Sequence, residues 1–506
     1  MPLSQTYHSF IPFYAVAVSL LAVPLILLSS SRPNVREFWT LAAAFLKFSF
    51  VMSLLPDALA NRVATVTIIQ IAPGIDLALK ADPLGVFFAL IASGLWIFTS
   101  FYSIGYVRGL SEQKQTRYFA SFAVCLSATI GVAFAANLLT FVVFYEILTI
   151  ATYPLVIHKE TPEAIRGGRK YLVYTLSAGV VLIAAVAWTY HLVGGLDFRA
   201  GGLLKDVVAD ETTIRALFLL FIAGVGVKAG IMPLHSWLPT AMVAPTPVSA
   251  LLHAVAVVKS GVFGVIRVVG FVFGPDLMHR YGLQDMLAVL AGCTIILASV
   301  IALRQDNLKR LLAYSTVGHL SYIVLGVALL SPDGFTGGLL HLANHATMKI
   351  TLFFCAGAIY VNLHKENISE LDGIGKTMPW TMGAFTLGSI GLVGVPPLSG
   401  FVSKWYLGLG ALESGRPLVV GVLLLSGLLN AAYFFPIIHR AYFRSGESSA
   451  SSAEPSNHRG EASPLMVVPL VVTAVLSLLF GLAPNLFFHL YDIGVMVTRS
   501  VLGGGG

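Results

Sequence analysis

Four ionisable side chains sit inside runs of apolar residues. Glu146 lies in NLLTFVVFYEILTIATYPL, Lys228 in GVGVKAGIMPLHSWLP, Lys259 in LLHAVAVVKSGVF and Lys404 in GVPPLSGFVSKW. A charged side chain at mid-bilayer costs roughly 2.5–3.5 kcal/mol on insertion scales, and such residues face a protein interior or a water path. A single buried charge is explained by one ion pair. Four in one chain point to a route for ions.

Histidines extend the set. In HLANHATMKITLFF, His341, His345 and Lys349 recur every four residues and form one helical stripe, about 12 Å long at 1.5 Å per residue. His253 precedes Lys259 by six residues and so lies on a different face. His319 stands in YSTVGHLSYI, where a packed, hydrogen-bonded histidine is the plain alternative to a relay. These types suit proton movement. Burial disfavours an ammonium and a nearby carboxylate favours it, so a carboxylate that approaches or recedes loads or empties a lysine. Glu146 is the candidate partner of Lys228. Histidine titrates near neutrality and passes protons between its two nitrogens. The chain carries no nucleophilic triad, phosphate loop or nucleotide fingerprint, so no catalytic or cofactor-binding residues are expected. Haem is disfavoured because His341 and His345 share one helix face beside a lysine, whereas a bis-histidine haem needs facing helices.

The elements that position these groups must span a bilayer. The 506 residues are 57% hydrophobic and only 11% charged, with mean hydropathy +0.83; soluble domains carry roughly 25% charged residues. The chain reads as an all-α polytopic membrane protein. Its first apolar run lacks a basic n-region and a cleavage site and reads as a retained helix. Cys125, Cys293 and Cys355 are far apart, with no metal or disulfide spacing, and read as small buried hydrophobes. The net charge of +7 is scattered over short loops, which excludes a nucleic-acid surface.

A span needs about 20 apolar residues. That rule gives about fourteen helices, near 10–30, 38–56, 84–107, 118–136, 138–158, 169–192, 215–232, 247–271, 284–303, 311–330, 336–362, 380–411, 418–440 and 464–488. Residues 62–81 alternate β-branched residues around a Pro-Gly turn and predict a β-hairpin outside the bilayer. Residues 445–463 read as a polar loop. Basic residues concentrate on one side (Arg32, Arg36, Arg108, Lys114, Arg117, Lys159, Arg166, Arg304, Lys309, Arg310, Arg440, Arg444), against Arg62, Arg267 and Arg416 on the other. The positive-inside rule then places both termini on the outer face. Residues 226–239 and 391–405 each run from glycines to a Pro-Leu pair and then an aromatic, about five helices apart. Such paired interruptions mark inverted-repeat transporters, with ordinary proline kinks as the bland alternative. An interrupted backbone at membrane depth is tolerated only where protein or cavity water satisfies it.

At these residues the chain resembles the antiporter-like subunits of complex I and of Mrp cation/proton antiporters, most closely the D-type subunit of the latter. The resemblance covers about residues 80–440. Its carriers are FVVFYEILTIATYPLV, GVKAGIMPLHSWLPTAMVAPTPVSALLHAVAVVKSGVF, RQDNLKRLLAYSTVGHLSYI, HATMKITLFF and GVPPLSGFVSKW, of which the second is the most specific. It implies fourteen helices with two inverted five-helix repeats and broken helices 7 and 12. The domains would then be 1–115 (helices 1–3 with the external hairpin), 116–272 and 273–442 (the repeats), and 443–506 (polar loop and last helix). By resemblance Glu146 is the fifth-helix glutamate, Lys228 and Lys259 the seventh- and eighth-helix lysines, and His345 and Lys349 the eleventh-helix pair. Lys404 is the twelfth-helix lysine toward the far exit; some complex I relatives have glutamate there. His319 stands where many relatives have glutamine or a similar polar residue. No long lateral helix follows, which argues against the largest distal type of complex I relative and against the A-type Mrp protein.

The expected function is proton translocation within a multisubunit Mrp-type sodium/proton antiporter in a bacterial inner membrane, alongside small membrane subunits and without metal or cofactor. The first rival is a proton-pumping subunit of NADH:quinone oxidoreductase or a membrane hydrogenase. A membrane subunit of a bicarbonate-uptake complex and an inert scaffold are the others, the scaffold disfavoured by the number of costly charges.

Overall fold

The structure is a computed structural model that describes residues 5–72, 75–444 and 460–503, with the side chains of residues 252–254 set aside. Among the described residues thirteen helices are long and apolar enough to cross a membrane. The helices are α1 (Ile11–Leu28), α2 (Pro33–Ser53), α3 (Pro83–Gly109), α4 (Gln115–Ala133), α5 (Leu138–Val156), α6 (Pro162–Val193), α7 (Glu211–Ala229), α8 (Val257–Arg267), α9 (Leu283–Ala302), α10 (Leu308–Ala328), α11 (Pro332–Leu363), α12 (Pro379–Val393), α13 (Ser399–Glu413), α14 (Pro417–Phe443), α15 (Pro464–Leu482) and α16 (Leu490–Leu502). The expected span 380–411 is split into α12 and α13, 15 residues each. Each half is about 22 Å long, short of a ~30 Å hydrocarbon core.

Local chemistry starts the helices. Proline occupies the first turn of α2, α3, α6, α11, α12, α14 and α15, where its missing N–H leaves nothing unbonded and its fixed φ is already helical. Side chains of Asp82, Asn137, Thr161, Asp210, Asn307 and Ser331 accept from the backbone N–H three residues on, satisfying donors that the helix itself leaves free.

The expected hairpin is present: β2 (Arg62–Ala72) pairs antiparallel with β3 (Ile75–Ala81). Its Pro-Gly turn lies outside the described residues, as does 445–459 of the polar loop. A third strand, β1 (Gln5–His8), pairs parallel with β2; its four residues carry no periodic signal of their own. The short α16 also lies beyond the expected last helix.

Two helical paths are interrupted in the same way. α7 ends at Gly230 (φ +69°) and α12 at Gly394 (φ +97°), both left-handed. Three residues later stands a proline after a cis bond, Met232–Pro233 and Pro396–Pro397. After the first break come a short helix (Trp237–Thr240), a 3-10 turn (Ala241–Val243), the turn Thr246–Val248 and the π-helical stretch Ser249–Ala256, which leads into α8. α8 lies hard against α7. A Cβ on Gly261 would overlap the backbone of Lys228 and Ala229, so glycine there lets the two lysine-bearing helices meet backbone to backbone.

Arg267, which reads in the sequence as an outer-loop charge, is instead buried at the end of α8. Its guanidinium forms a fork on Asp82, at 2.5 Å and 2.8 Å, beneath the rings of Phe198, Phe263 and Phe271. Asp82 also caps α3 through the Gly85 N–H. Arg36 and Lys309 likewise sit within helices rather than loops. Cys125 and Cys355 are buried as expected, but Cys293 is exposed on α9; small thiols fit a lipid-facing helix surface as readily as a core.

Between α5 and α6, Glu160 accepts from Lys114 and from Arg117, and these bonds hold its carboxyl down at about 2. Beside it the His158 ring is buried edge-on to Tyr118. Desolvation, reinforced by the Arg117 charge, pushes it down to about 4.

Truncating either member of the Arg267–Asp82 pair leaves a lone buried charge, at a cost of about 3–5 kcal/mol. Arg267→Ala and Asp82→Ala are each expected to lower the thermal unfolding midpoint of the purified protein, and the double variant to lose less than the sum. For His158 the unfolded chain takes up its proton near pH 6.5 and the folded one only near 4. Stability is therefore full above pH 6.5 and lost progressively as pH falls toward 4. His158→Phe should flatten that part of a melting-temperature profile.

Candidate functional site

The sequence-derived ionisable groups converge on the helix interior, but not with the partners the spacing suggests. Lys228, Lys259, Lys349, His341 and His345 are fully buried, His319 almost so, while Glu146 and Lys404 are half-buried. The Lys228 ammonium donates to the Tyr145 carbonyl at 2.5 Å and lies 3.3 Å from the centre of the Tyr145 ring. Glu146, the next residue, makes no ion pair with it within 4.0 Å; its carboxylate packs against Gly179 of α6, with Oε1 buried and lacking a hydrogen-bond partner. The two groups are close enough to feel each other's charge without touching.

Across from them Lys259 Nζ lies 2.7 Å from His345 Nδ1. An ammonium donates to a bare Nδ1, and an amine accepts from a protonated one. One proton therefore sits between the two groups whichever holds it. The bridge links α8 to α11 directly.

The α11 stripe exists, yet its members do not bond along it. Each reaches out to neighbouring helices instead. His345 meets α8. His341 Nε2 lies 3.1 Å from His319 Nδ1 on α10, and His341 Nδ1 lies 2.8 Å from Ser403 Oγ on α13. Lys349 donates to Ser315 Oγ on α10 at 2.7 Å. The rings of His319, His341 and His345 stack at 5.3–6.0 Å between centres, and Tyr322 stacks on His319 and His341. His253 falls on the π-helical stretch Ser249–Ala256, and its side chain lies outside the described residues.

Lys404 answers the second break. It donates to the Leu392 and Val393 carbonyls, both at 2.8 Å. These are the last carbonyls of α12, left without helical partners and carrying the negative end of the helix dipole. The half-helix supplies the acceptors that a lysine at this depth needs.

Four residues belong to the site that hydropathy and charge do not single out. Ser315, Ser403, Asn430 and Tyr433 are buried. The Tyr433 hydroxyl lies 2.9 Å from Ser315 Oγ and 2.6 Å from Asn430 Oδ1, and Asn430 Nδ2 lies 3.2 Å from His319 Nε2. A signal exists for two of them: Asn430 and Tyr433, three apart in LLNAAYFFPII, share one face of an apolar helix. A fifth omission is Lys47 of α2, fully buried, with the Trp96 ring at 5.4 Å and, among the described residues, no hydrogen-bond acceptor. It lies apart from the bonded cluster.

A mostly helical, multi-pass membrane protein with buried lysines beside broken helices has the features expected of an ion-translocating subunit. Residues 135–430, more than half of the chain, match the family described as NADH:quinone oxidoreductase/Mrp antiporter, transmembrane. The chain belongs to that family and is an antiporter-like membrane subunit of the Mrp/complex I type. It is 32% identical over 423 residues to the N subunit of NADH-quinone oxidoreductase from Desulforudis audaxviator, covering 81% of this chain and 82% of the relative. To the D subunit of the Na(+)/H(+) antiporter from Alkalihalophilus pseudofirmus it is 26% identical, covering 82% of each. A chain of the Mrp complex from Dietzia superposes with a TM-score of 0.86 at 21% identity, covering 100% of this chain and 98% of that one.

Among the described residues Lys47 has no acceptor to offset its burial. Lys47→Met should therefore raise the unfolding midpoint while leaving ion transport unchanged, measured by thermal denaturation and by vesicle flux on the same preparation.

Proposed function

We propose that this chain is the proton-translocating subunit of a multisubunit Mrp-type monovalent cation/proton antiporter, with sodium as the exchanged cation. The observation that carries the reading is the Lys259–His345 contact, which joins two buried titratable groups from α8 and α11 through a shared proton. Protons reach Lys228 through one half-channel and cross by Lys259, His345 and Lys349. They leave near Lys404, with His319 and His341 beside the exit. Glu146 sets the charge state of Lys228 by closing on it or withdrawing. Burial of so many ionisable groups, each costing roughly 2.5–3.5 kcal/mol at mid-bilayer, has no use in a scaffold.

The matching geometry of the two breaks supports two inverted five-helix repeats, 116–272 and 273–442, each with one interrupted helix. The uneven distribution of basic residues supports both termini outside a bacterial inner membrane. Small membrane subunits of the same complex are the partners. The superposition on an Mrp complex chain over the full length and the likeness to a D-type antiporter chain support the antiporter. The greater identity to an N-type oxidoreductase chain favours the second reading, a proton-pumping subunit of a redox-driven oxidoreductase. The subunit composition of the purified assembly separates them: flavin and iron–sulfur subunits belong only to the second.

Lys228→Ala and Glu146→Gln should each abolish proton-coupled transport while the complex still assembles. Full transport by either variant in inverted vesicles removes that pair from the mechanism.

A further inference from the structure

The second break fixes more than Lys404. Asn430 of α14 reaches two groups with Nδ2: His319 Nε2 at 3.2 Å and the Leu392 carbonyl at 3.4 Å. Its Oδ1 accepts from the Tyr433 hydroxyl at 2.6 Å. A backbone carbonyl only accepts, so the amide atom beside Leu392 must be the NH2 group. That group faces His319 Nε2, which must then be the bare nitrogen. A neutral His319 carries its proton on Nδ1, directed at His341 Nε2. His341 is bare at Nε2 in turn, and its own proton on Nδ1 points at Ser403 Oγ, whose hydroxyl donates to the Gly400 carbonyl at 3.2 Å. One carbonyl orders the whole series.

We propose that Asn430 is a positioning residue that sets the tautomers of His319 and His341, and that the Leu392 carbonyl, shared with Lys404, ties those tautomers to the place Lys404 occupies. An imidazolium at His319 would present N–H to N–H at Asn430. Charging His319 therefore requires the amide to turn over, which breaks its bond to the Leu392 carbonyl and forces the Tyr433 hydroxyl from donor to acceptor. Asn430 keeps His319 a neutral conductor, and Tyr433 holds Asn430 in that orientation. When Lys404 withdraws, the Leu392 carbonyl turns wholly to the amide and tightens the same arrangement.

The other groups around His319 do not set this pattern. Lys349, His341 and His345 approach from α11, Lys404 from α13, Lys259 from α8 and Tyr322 from its own helix, while Tyr433 of α14 meets Asn430 and Ser315. Among the described residues only Asn430 reaches Nε2 with a hydrogen bond, and only His341 reaches Nδ1.

The tautomer assignment stands on hydrogen bonds alone, while its bearing on transport rests on the relay proposed above. The test uses the whole purified complex labelled with 15N-histidine, with signals assigned through His319→Gln and His341→Gln. Solid-state nitrogen shifts should report Nδ1–H rings at both positions in the parent at neutral pH. In Asn430→Leu the mixture should move toward the ordinary Nε2–H form. Asn430→Asp, which accepts where asparagine donates, should charge His319 and shift its titration upward by about 1–3 pH units. Tyr433→Phe should shift it in the same direction by less. An Nε2–H ring at His319 in the parent, or a titration unmoved by Asn430→Asp in a complex that still assembles, overturns the proposal. Proton flux measured on the same samples reads the relay separately: parent tautomers as stated with no flux would sink the transport reading and leave the assignment standing.

Discussion

An ammonium group carries three donors, and at bilayer depth water is not there to receive them. Every lysine of the cluster is placed by whichever acceptor the fold can spare. Lys228 takes a helix carbonyl and an aromatic face, Lys259 an imidazole nitrogen, Lys349 a hydroxyl, and Lys404 two carbonyls at a severed helix end. None takes a carboxylate. An ion pair would hold its proton tightly, whereas neutral acceptors leave the ammonium and amine forms closer in energy. Among the described residues no close ion pair fixes a proton along the cluster, which is the condition the proposed relay needs.

The broken helices follow from that constraint. An intact helix consumes its own carbonyls. Ending α12 at a left-handed glycine releases Leu392 and Val393 toward the interior, where a lysine and an asparagine use them. At the first break the Trp237 indole donates to the Val227 carbonyl at 2.7 Å, one residue before Lys228. The interruptions thus serve as sources of acceptors, and the glycines and prolines that make them belong to the electrostatics of the site.

Much of this is legible in the sequence because the signals are strong. Charges inside twenty-residue apolar runs, and glycine-proline interruptions at corresponding places, locate Glu146, Lys228, Lys259, Lys349 and Lys404 and the two breaks. Helix starts read several residues late: α6 begins at Pro162 rather than 169 and α2 at Pro33 rather than 38. Hydropathy registers only the apolar body, while the polar first turn with its capping side chain and proline reads as loop. Partner choice is not legible. A four-residue spacing shows that His341, His345 and Lys349 share a face, but which neighbour each one meets depends on how α8, α10 and α13 surround α11. Lys47 escapes notice because PNVREFWTLAAAFLKF ends a mixed segment in which a lysine looks ordinary. Asn430 and Tyr433 escape because uncharged polar groups barely lower hydropathy.

α14 is the least enclosed of the thirteen spans. Its inward side bears Asn430 and Tyr433; its outward side bears Leu418, Leu424, Leu428 and Phe435, all exposed. Under the tautomer proposal, the helix that orders the imidazole series from within is thus the same helix that meets the outside of the protein.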